Sequence, residues 1–293
     1  MTNRRHAPPR IYHVASRAVA AHASSNPRNT EHEWRTLAQR AASLGFDHML
    51  CGALWKADAA DPFLIDDPYE FIDSQSPGDM PAMQVIRQMA EQCREACLSM
   101  WQDVSVATAL VGGKLASEHP DWYRPTYRGD PSLDPRLGSQ AARTALLVQE
   151  PRGSVGQELV DYWIEYLLAL AEAGISGVRV HTPQCLPADR WRAITDAVRE
   201  SHPDFRFTAW TPGLNPSQLK RLEGAGFDAV YSSLPWWNFR DDWFVAEHER
   251  LGALANVIAP LASPDDPHPV PPGRAGLLRL MQCAVELGDG ILM

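Results

Sequence analysis

Residues 177–187 read Gly-Val-Arg-Val-His-Thr-Pro-Gln-Cys-Leu-Pro, a short β-branched run that stops at a titratable side chain, His181, two residues after Arg179. In a strand that spacing puts both side chains on one face, so a guanidinium and an imidazole project together from the strand end. Other segments carry groups of comparable chemistry. Asp103 lies in the run Trp101-Gln102-Asp103-Val104, and Asp265 follows Ala262-Ser263-Pro264, with Asp266 and His268 close behind. Trp210 ends the run Phe207-Thr208-Ala209-Trp210, and Trp236 and Trp237 follow another apolar run. Carboxylates and imidazoles can act as general acids, bases or nucleophiles, and indoles offer flat stacking faces.

Each of these residues also has a purely structural reading. Arg179 can hold Asp103 or Asp265 in a buried pair, and His181 can be a neutral, hydrogen-bonded residue at a strand end. Trp210, Trp236 and Trp237 can cap a core as well as stack on a ligand ring. His13, Asp103, His181, Asp265 and His268 are metal-ligating types, but no two have close helical ligand spacing, so no metal and no other cofactor is expected. Asp241-Asp242 suits a helix start, where the dipole favours negative charge. Cys93 and Cys97 lie four apart in a helical stretch, which reads as two core-facing thiols rather than a redox couple.

The elements that position these groups alternate along the whole chain. Strand signals fall at about 11–19, 48–54, 99–110, 177–181, 205–210, 229–234, 256–262 and 290–293. Helical periodicity fills about 31–44, 82–97, 156–173, 188–201, 216–224, 241–251 and 274–287. In the third of these helices Leu159, Trp163, Tyr166, Leu167 and Leu170 form one apolar stripe. Strands alternating with helices predict an α/β fold with a parallel sheet. Long loops follow strands, which points to a TIM (β/α)8-type barrel with one functional face. A doubly wound open sheet is the alternative, disfavoured because no glycine-rich phosphate turn follows the first strand. Residues 1–10 read as a flexible arm and 11–293 as a single barrel domain. Its loops at 57–81 and 111–155 are too polar and broken for regular structure, and the last helix and any C-terminal β domain are expected to be lacking.

The chain has 293 residues and a formal charge of −9. The acidic balance argues against a nucleic-acid surface. No apolar run reaches the ~20 residues that span a bilayer, and the basic start has no apolar stretch behind it, so no membrane partner and no secretory signal are expected. An odd count of five cysteines without metal-finger spacing fits a reduced, cytoplasmic protein.

Four segments carry a resemblance to glycoside hydrolase family 13, the α-amylase superfamily, and within it to bacterial α-glucan maltosyltransferases that use maltose 1-phosphate. Asp103 matches a family aspartate, with Ala107 and Thr108 in place of the polar pair that follows it. The segment Glu118-His119-Pro120-Asp121-Trp122-Tyr123 resembles a Glu-His-Pro-(Glu/Asp)-Trp-Phe segment of the maltosyltransferases. Gly177, Arg179, Val180, Pro183 and Pro187 match the strand-four motif, in which His181 stands where the family has its nucleophilic aspartate. Trp210 aligns with the general-acid glutamate. Asp265, in Ser263-Pro264-Asp265, retains the carboxylate that stabilises the transition state.

The resemblance implies a barrel related to α-glucan metabolism whose catalytic positions are substituted. Its ligand would be an α-glucan or maltooligosaccharide, with Asp103, Arg179, Trp236, Trp237 and His268 in the binding set. A second copy or a partner glucan enzyme are further expected partners. Three readings stay open: a degenerate barrel that binds without cleaving, an active transferase or hydrolase with altered residues, and an interaction module.

Overall fold

The computed structural model describes residues 8–15, 30–58, 61–72, 80–126, 145–148, 153–262 and 273–293. Along the chain the elements are β1 (Arg10–Val14), α1 (Thr30–Ser43), β2 (His48–Cys51), β3 (Trp55–Ala57), β4 (Ile65–Phe71), α2 (Ala82–Glu95), β5 (Ser99–Val104), β6 (Thr108–Leu110), α3 (Lys114–Glu118), β7 (Tyr123–Thr126), β8 (Ala145–Val148), α4 (Ser154–Glu172), β9 (Gly177–Val180), α5 (Ala188–Ser201), β10 (Arg206–Ala209), α6 (Pro216–Lys220), β11 (Ala229–Tyr231), α7 (Trp243–Leu254), β12 (Asn256–Pro260), α8 (Arg274–Leu287) and β13 (Gly290–Leu292). Short 3₁₀ turns at Pro183–Cys185 and Leu234–Trp236 follow β9 and β11.

Strands β1, β2, β5, β9, β10, β11, β12 and β13 close into a barrel in that order, with every neighbouring pair parallel. This is the TIM-type barrel that the alternation predicts. Its helices form as the periodicity requires. In α4 the stripe Leu159, Trp163, Tyr166, Leu167 and Leu170 is buried against the sheet, and in α5 Trp191, Ile194, Thr195 and Val198 do the same. No helix among the described residues is long and apolar enough to cross a membrane.

A second sheet, ordered β3-β4-β6-β8-β7, is built entirely from the segments that follow β2 and β5. Those segments therefore hold regular structure where long, broken loops were expected. The strand Ile65-Asp66-Asp67-Pro68-Tyr69-Glu70-Phe71 hides its periodicity behind two aspartates and a proline. Asp67 is nonetheless buried, bonded through Oδ2 to Lys114 Nζ at 2.7 Å. Pro68 is tolerated because β4 pairs with β6 only at Ile65 and meets β3 through register shifts, so the position demands no ladder donor. The expected strand 99–110 is likewise two strands, since the chain leaves the barrel at Ser105–Ala107 to join the second sheet.

Two smaller expectations also change. Arg10, assigned to the flexible arm, opens β1 and donates from Nε to Asp47 Oδ2 at 2.9 Å, while residues 1–7 lie outside the described residues. Cys93 is buried and Cys97 exposed. The reason is that α2 ends at Glu95 and Cys97 turns into the left-handed region at φ 61°.

Inside the barrel, Ile11, Leu50, Trp101, Trp210, Ala229, Tyr231, Ile258 and Leu292 form one apolar cluster. Two-residue alternation along each strand aims these inward, together with Asp103 and Arg179 above Trp101 and Gly177. Gly177 is required by this arrangement. A Cβ there would lie 2.9 Å from Trp101 Nε1 and 2.9 Å from the Arg206 carbonyl oxygen. Gly177→Ala should therefore destabilise the barrel by about 1–3 kcal/mol through overpacking. The check is the urea midpoint; an unshifted midpoint would mean that Trp101 moves aside at no cost.

Candidate functional site

The barrel mouth is organised by strand register. Asp103 on β5 sits directly opposite Arg179 on β9, and Arg179 opposite Thr208 on β10. The Arg179 guanidinium donates through Nε to Asp103 Oδ1 at 2.6 Å and through Nη2 to Oδ2 at 2.7 Å. Both residues are fully buried. Burial alone would favour a protonated Asp103. The Arg179 charge, aided by His181 and His13, outweighs it and holds the carboxyl well below its ordinary value. Asp103 is thus an ionised acceptor, with no proton to donate.

Aromatic groups enclose the pair. The Arg179 Cζ lies 4.7 Å from the Trp210 ring centroid and 5.9 Å from that of Tyr231, a cation–π arrangement that suits a guanidinium away from water. Burial pushes the Tyr231 phenol up to about 12, against the opposing pull of Arg179. His13 on β1 brings Nε2 to 3.5 Å from Arg179 Nη2 and 3.7 Å from Asp103 Oδ2.

His181 follows β9 and is fixed by its backbone N–H, which donates to the Val104 carbonyl at 2.8 Å. Its Nε2 lies 3.5 Å from Asp103 Oδ1. Its ring stacks on Phe63 at 3.7 Å with a 28° interplanar angle, and on Trp210 at 6.0 Å and 25°. Trp210 is only 6% exposed and belongs to the barrel's interior cluster, so it lines the mouth from within.

The structure therefore brings together His13, Asp103, Arg179, His181 and Trp210, five of the residues singled out in the sequence. Trp236 packs on the same interior cluster. Trp237 departs from the binding set. It stacks on Phe244 at 4.7 Å and donates its Nε1–H to the Asp241 carbonyl at 2.9 Å, because the short turn at Leu234–Trp236 rotates it toward α7. Asp265 and His268 lie outside the described residues.

Phe63 and Thr108 were missed as site residues. Thr108 Oγ1 donates to the Phe63 carbonyl at 2.5 Å and lies 2.9 Å from Ser105 Oγ, so the second sheet reaches the mouth through one side chain. The available signal was the apolar trio Pro62-Phe63-Leu64 inside an acidic stretch, which must find something to cover.

Thr182, next to His181, has φ 48° in the left-handed region. A β-branched residue is strained there.

No protein-family model matches the chain. It is similar to the alpha-1,4-glucan:maltose-1-phosphate maltosyltransferase of Burkholderia pseudomallei, 35% identical over 246 residues, which cover 80% of this chain and 20% of the relative. The protein of the same name from Myxococcus xanthus is 24% identical over 127 residues, 43% of this chain and 18% of the relative. The chain thus spans about a fifth of the length of these relatives. Among solved structures, an alpha-amylase from Lactobacillus plantarum has a TM-score of 0.60 at 18% identity, covering 86% of this chain and 62% of that one. The GH36 alpha-galactosidase AgaA of Geobacillus stearothermophilus has a TM-score of 0.58 at 14% identity, covering 99% and 39%. At these identities the likeness is one of fold.

Three outcomes follow from the geometry. Arg179→Met should cost about 3–5 kcal/mol, because it strands a buried carboxylate, whereas the double change Asp103→Leu with Arg179→Met should recover most of that loss. The single-variant defect should shrink on acidification, since a protonated Asp103 no longer needs a cation. Chemical denaturation across pH checks both, and a double variant as weak as the single would refute the pairing. Thr182→Asn or Thr182→Gly should raise stability by about 1 kcal/mol through relief of the left-handed strain, read as a higher Tm.

Proposed function

From the premise that the chain is an α-amylase-like barrel of the glycoside hydrolase family 13 type, related in sequence to a maltosyltransferase, we propose that it serves α-glucan metabolism without cleaving glucan. It would bind an α-glucan or maltooligosaccharide, or work beside an enzyme that does. The observation that carries this reading is the pairing of His181 and Trp210 at the ends of the fourth and fifth barrel strands. Retaining hydrolysis or transfer needs two carboxyl groups about 5–5.5 Å apart, one to attack the anomeric carbon and one to protonate the leaving oxygen. An indole has no usable proton to give, and the imidazole of His181 is buried beneath Phe63. Asp103, whose Oδ1 lies 3.5 Å from His181 Nε2, has its two oxygens bonded to Arg179.

A second reading, an active enzyme with altered chemistry, draws on the contact between His181 Nε2 and Asp103 Oδ1 at 3.5 Å. A carboxylate that orients an imidazole is a recurring acid–base device. Asp265, the retained stabiliser position of the resemblance, would take part only in that reading.

Docking to a partner, either a second copy or a glucan enzyme, is supported by α8. Leu278, Met281 and Val285 are exposed there at spacings of three and four, a continuous apolar stripe on one helix face. A cytoplasmic location is our proposal as well, supported by five free cysteines.

The test is product analysis. Protein at high concentration is incubated with maltoheptaose, with and without maltose 1-phosphate, and the oligosaccharides are separated by chromatography. Unchanged maltoheptaose is the expected result. A ladder of shorter or longer chains would overturn the proposal and make His181 the first residue to substitute.

A further inference from the structure

Phe63 is anchored more firmly than a surface phenylalanine needs to be. Its carbonyl accepts from Thr108 Oγ1 at 2.5 Å, and its N–H donates to Asp61 Oδ1 at 3.0 Å. The preceding carbonyl, of Pro62, accepts from Trp55 Nε1 at 2.8 Å. The following residue, Leu64, is buried, donates to the Asp61 carbonyl at 3.2 Å and accepts from Asp58 N at 3.0 Å. Both sides of the segment are thus tied down, through β3 and through β6, and the ring is held against His181 at 3.7 Å.

What the ring covers has the composition of a ligand site. His181 and Trp210 present near-parallel flat faces. The Asp103–Arg179 pair and His13 lie beside them with charged and hydrogen-bonding groups. Flat apolar faces with a few convergent polar groups are the chemistry of a small-molecule pocket. A pyranose has the matching shape, with C–H groups on its faces and hydroxyls around its edge.

We infer that Phe63 occupies a latent pyranose subsite at the barrel mouth, filling with the protein's own ring the place where a hexose would stack. The inference rests on the proposed α-glucan role and specifies where the mouth would take a sugar and what keeps it out. Glucan bound by the native protein is then held elsewhere than on His181.

The experiment follows the imidazole C–H signals of His181 by NMR, assigned through His181→Gln, during titration with maltose. In the native protein these signals should be displaced upfield by the Phe63 ring and stay unmoved by maltose. In Phe63→Ala the displacement should shrink to the part that Trp210 contributes, and the signals should move with maltose, with affinity improved about tenfold or more. Thr108→Val, which removes the anchor of the Phe63 carbonyl together with the contact to Ser105 Oγ, should give an intermediate response and decides the matter if Phe63→Ala does not fold. A native protein whose His181 follows maltose as strongly as the variant overturns the inference, as does a folded variant that stays silent. Turnover of maltoheptaose by a native protein whose His181 signals stay unmoved by maltose would sink the proposed function alone.

Discussion

A complete charge pair sealed inside a barrel is the constraint to which the rest of this mouth conforms. Taking Asp103 and Arg179 out of water is costly, and their attraction offsets that cost only with good geometry and satisfied neighbours. The bidentate contact supplies the geometry. The indole of Trp210 and the phenol ring of Tyr231 supply a polarisable lining for the guanidinium. Two histidines, His13 and His181, stand near the carboxylate. Beneath the pair, Gly177 gives up its side chain so that Trp101 can fill the floor. A buried ion pair is poor evidence of added stability, but it imposes specificity. Few other side chains could occupy positions 210, 181 and 177 while it remains.

The second sheet completes this arrangement from outside the barrel. It grows from the segments after β2 and β5, the face where loops of this fold carry function. Aromatic contacts bind it to α4: Tyr69 meets Tyr162 and Tyr166 edge to face, and His119 and Trp122, stacked on each other at 3.6 Å, each meet Tyr162 edge to face. His119 and Trp122 belong to the segment Glu118–Tyr123 that resembles a segment of the maltosyltransferases. Burial lowers the pKa of His119, in keeping with a ring used for packing rather than for charge.

The barrel was legible in the sequence because its signals are local. Helix stripes such as Leu159–Trp163–Tyr166–Leu170 and strand ends such as Gly177–His181 depend on periodicities of 3.6 and 2, which survive without knowledge of neighbours. Asp103, Arg179, His181 and Trp210 were legible for the same reason, since inward parity at a strand's end follows from counting. The second sheet was not. Its strand at Ile65–Phe71 buries an aspartate through a lysine 47 residues away, a pairing no local pattern reveals. Phe63 was hidden for a related reason, because its role comes from a ring and a hydroxyl supplied by two other segments. Trp237 could not be separated from Trp236 by sequence, as the short turn that rotates it leaves no distinct signature.

The stack of Phe63 on His181 also limits what position 181 tolerates. An aspartate placed at position 181 would bring an anion against the electron-rich face of a phenyl ring and close to the carboxylate of Asp103. One guanidinium would then face two carboxylates, and Thr108 would still hold the ring in place. Such a step is unfavourable unless Phe63 and its anchor change as well. The same reasoning applies at position 210, where a glutamate would withdraw the indole that lines Arg179. The side chains at this mouth therefore form an interlocked set: each one occupies the room that changing another would require, so single changes here meet resistance that combined changes do not.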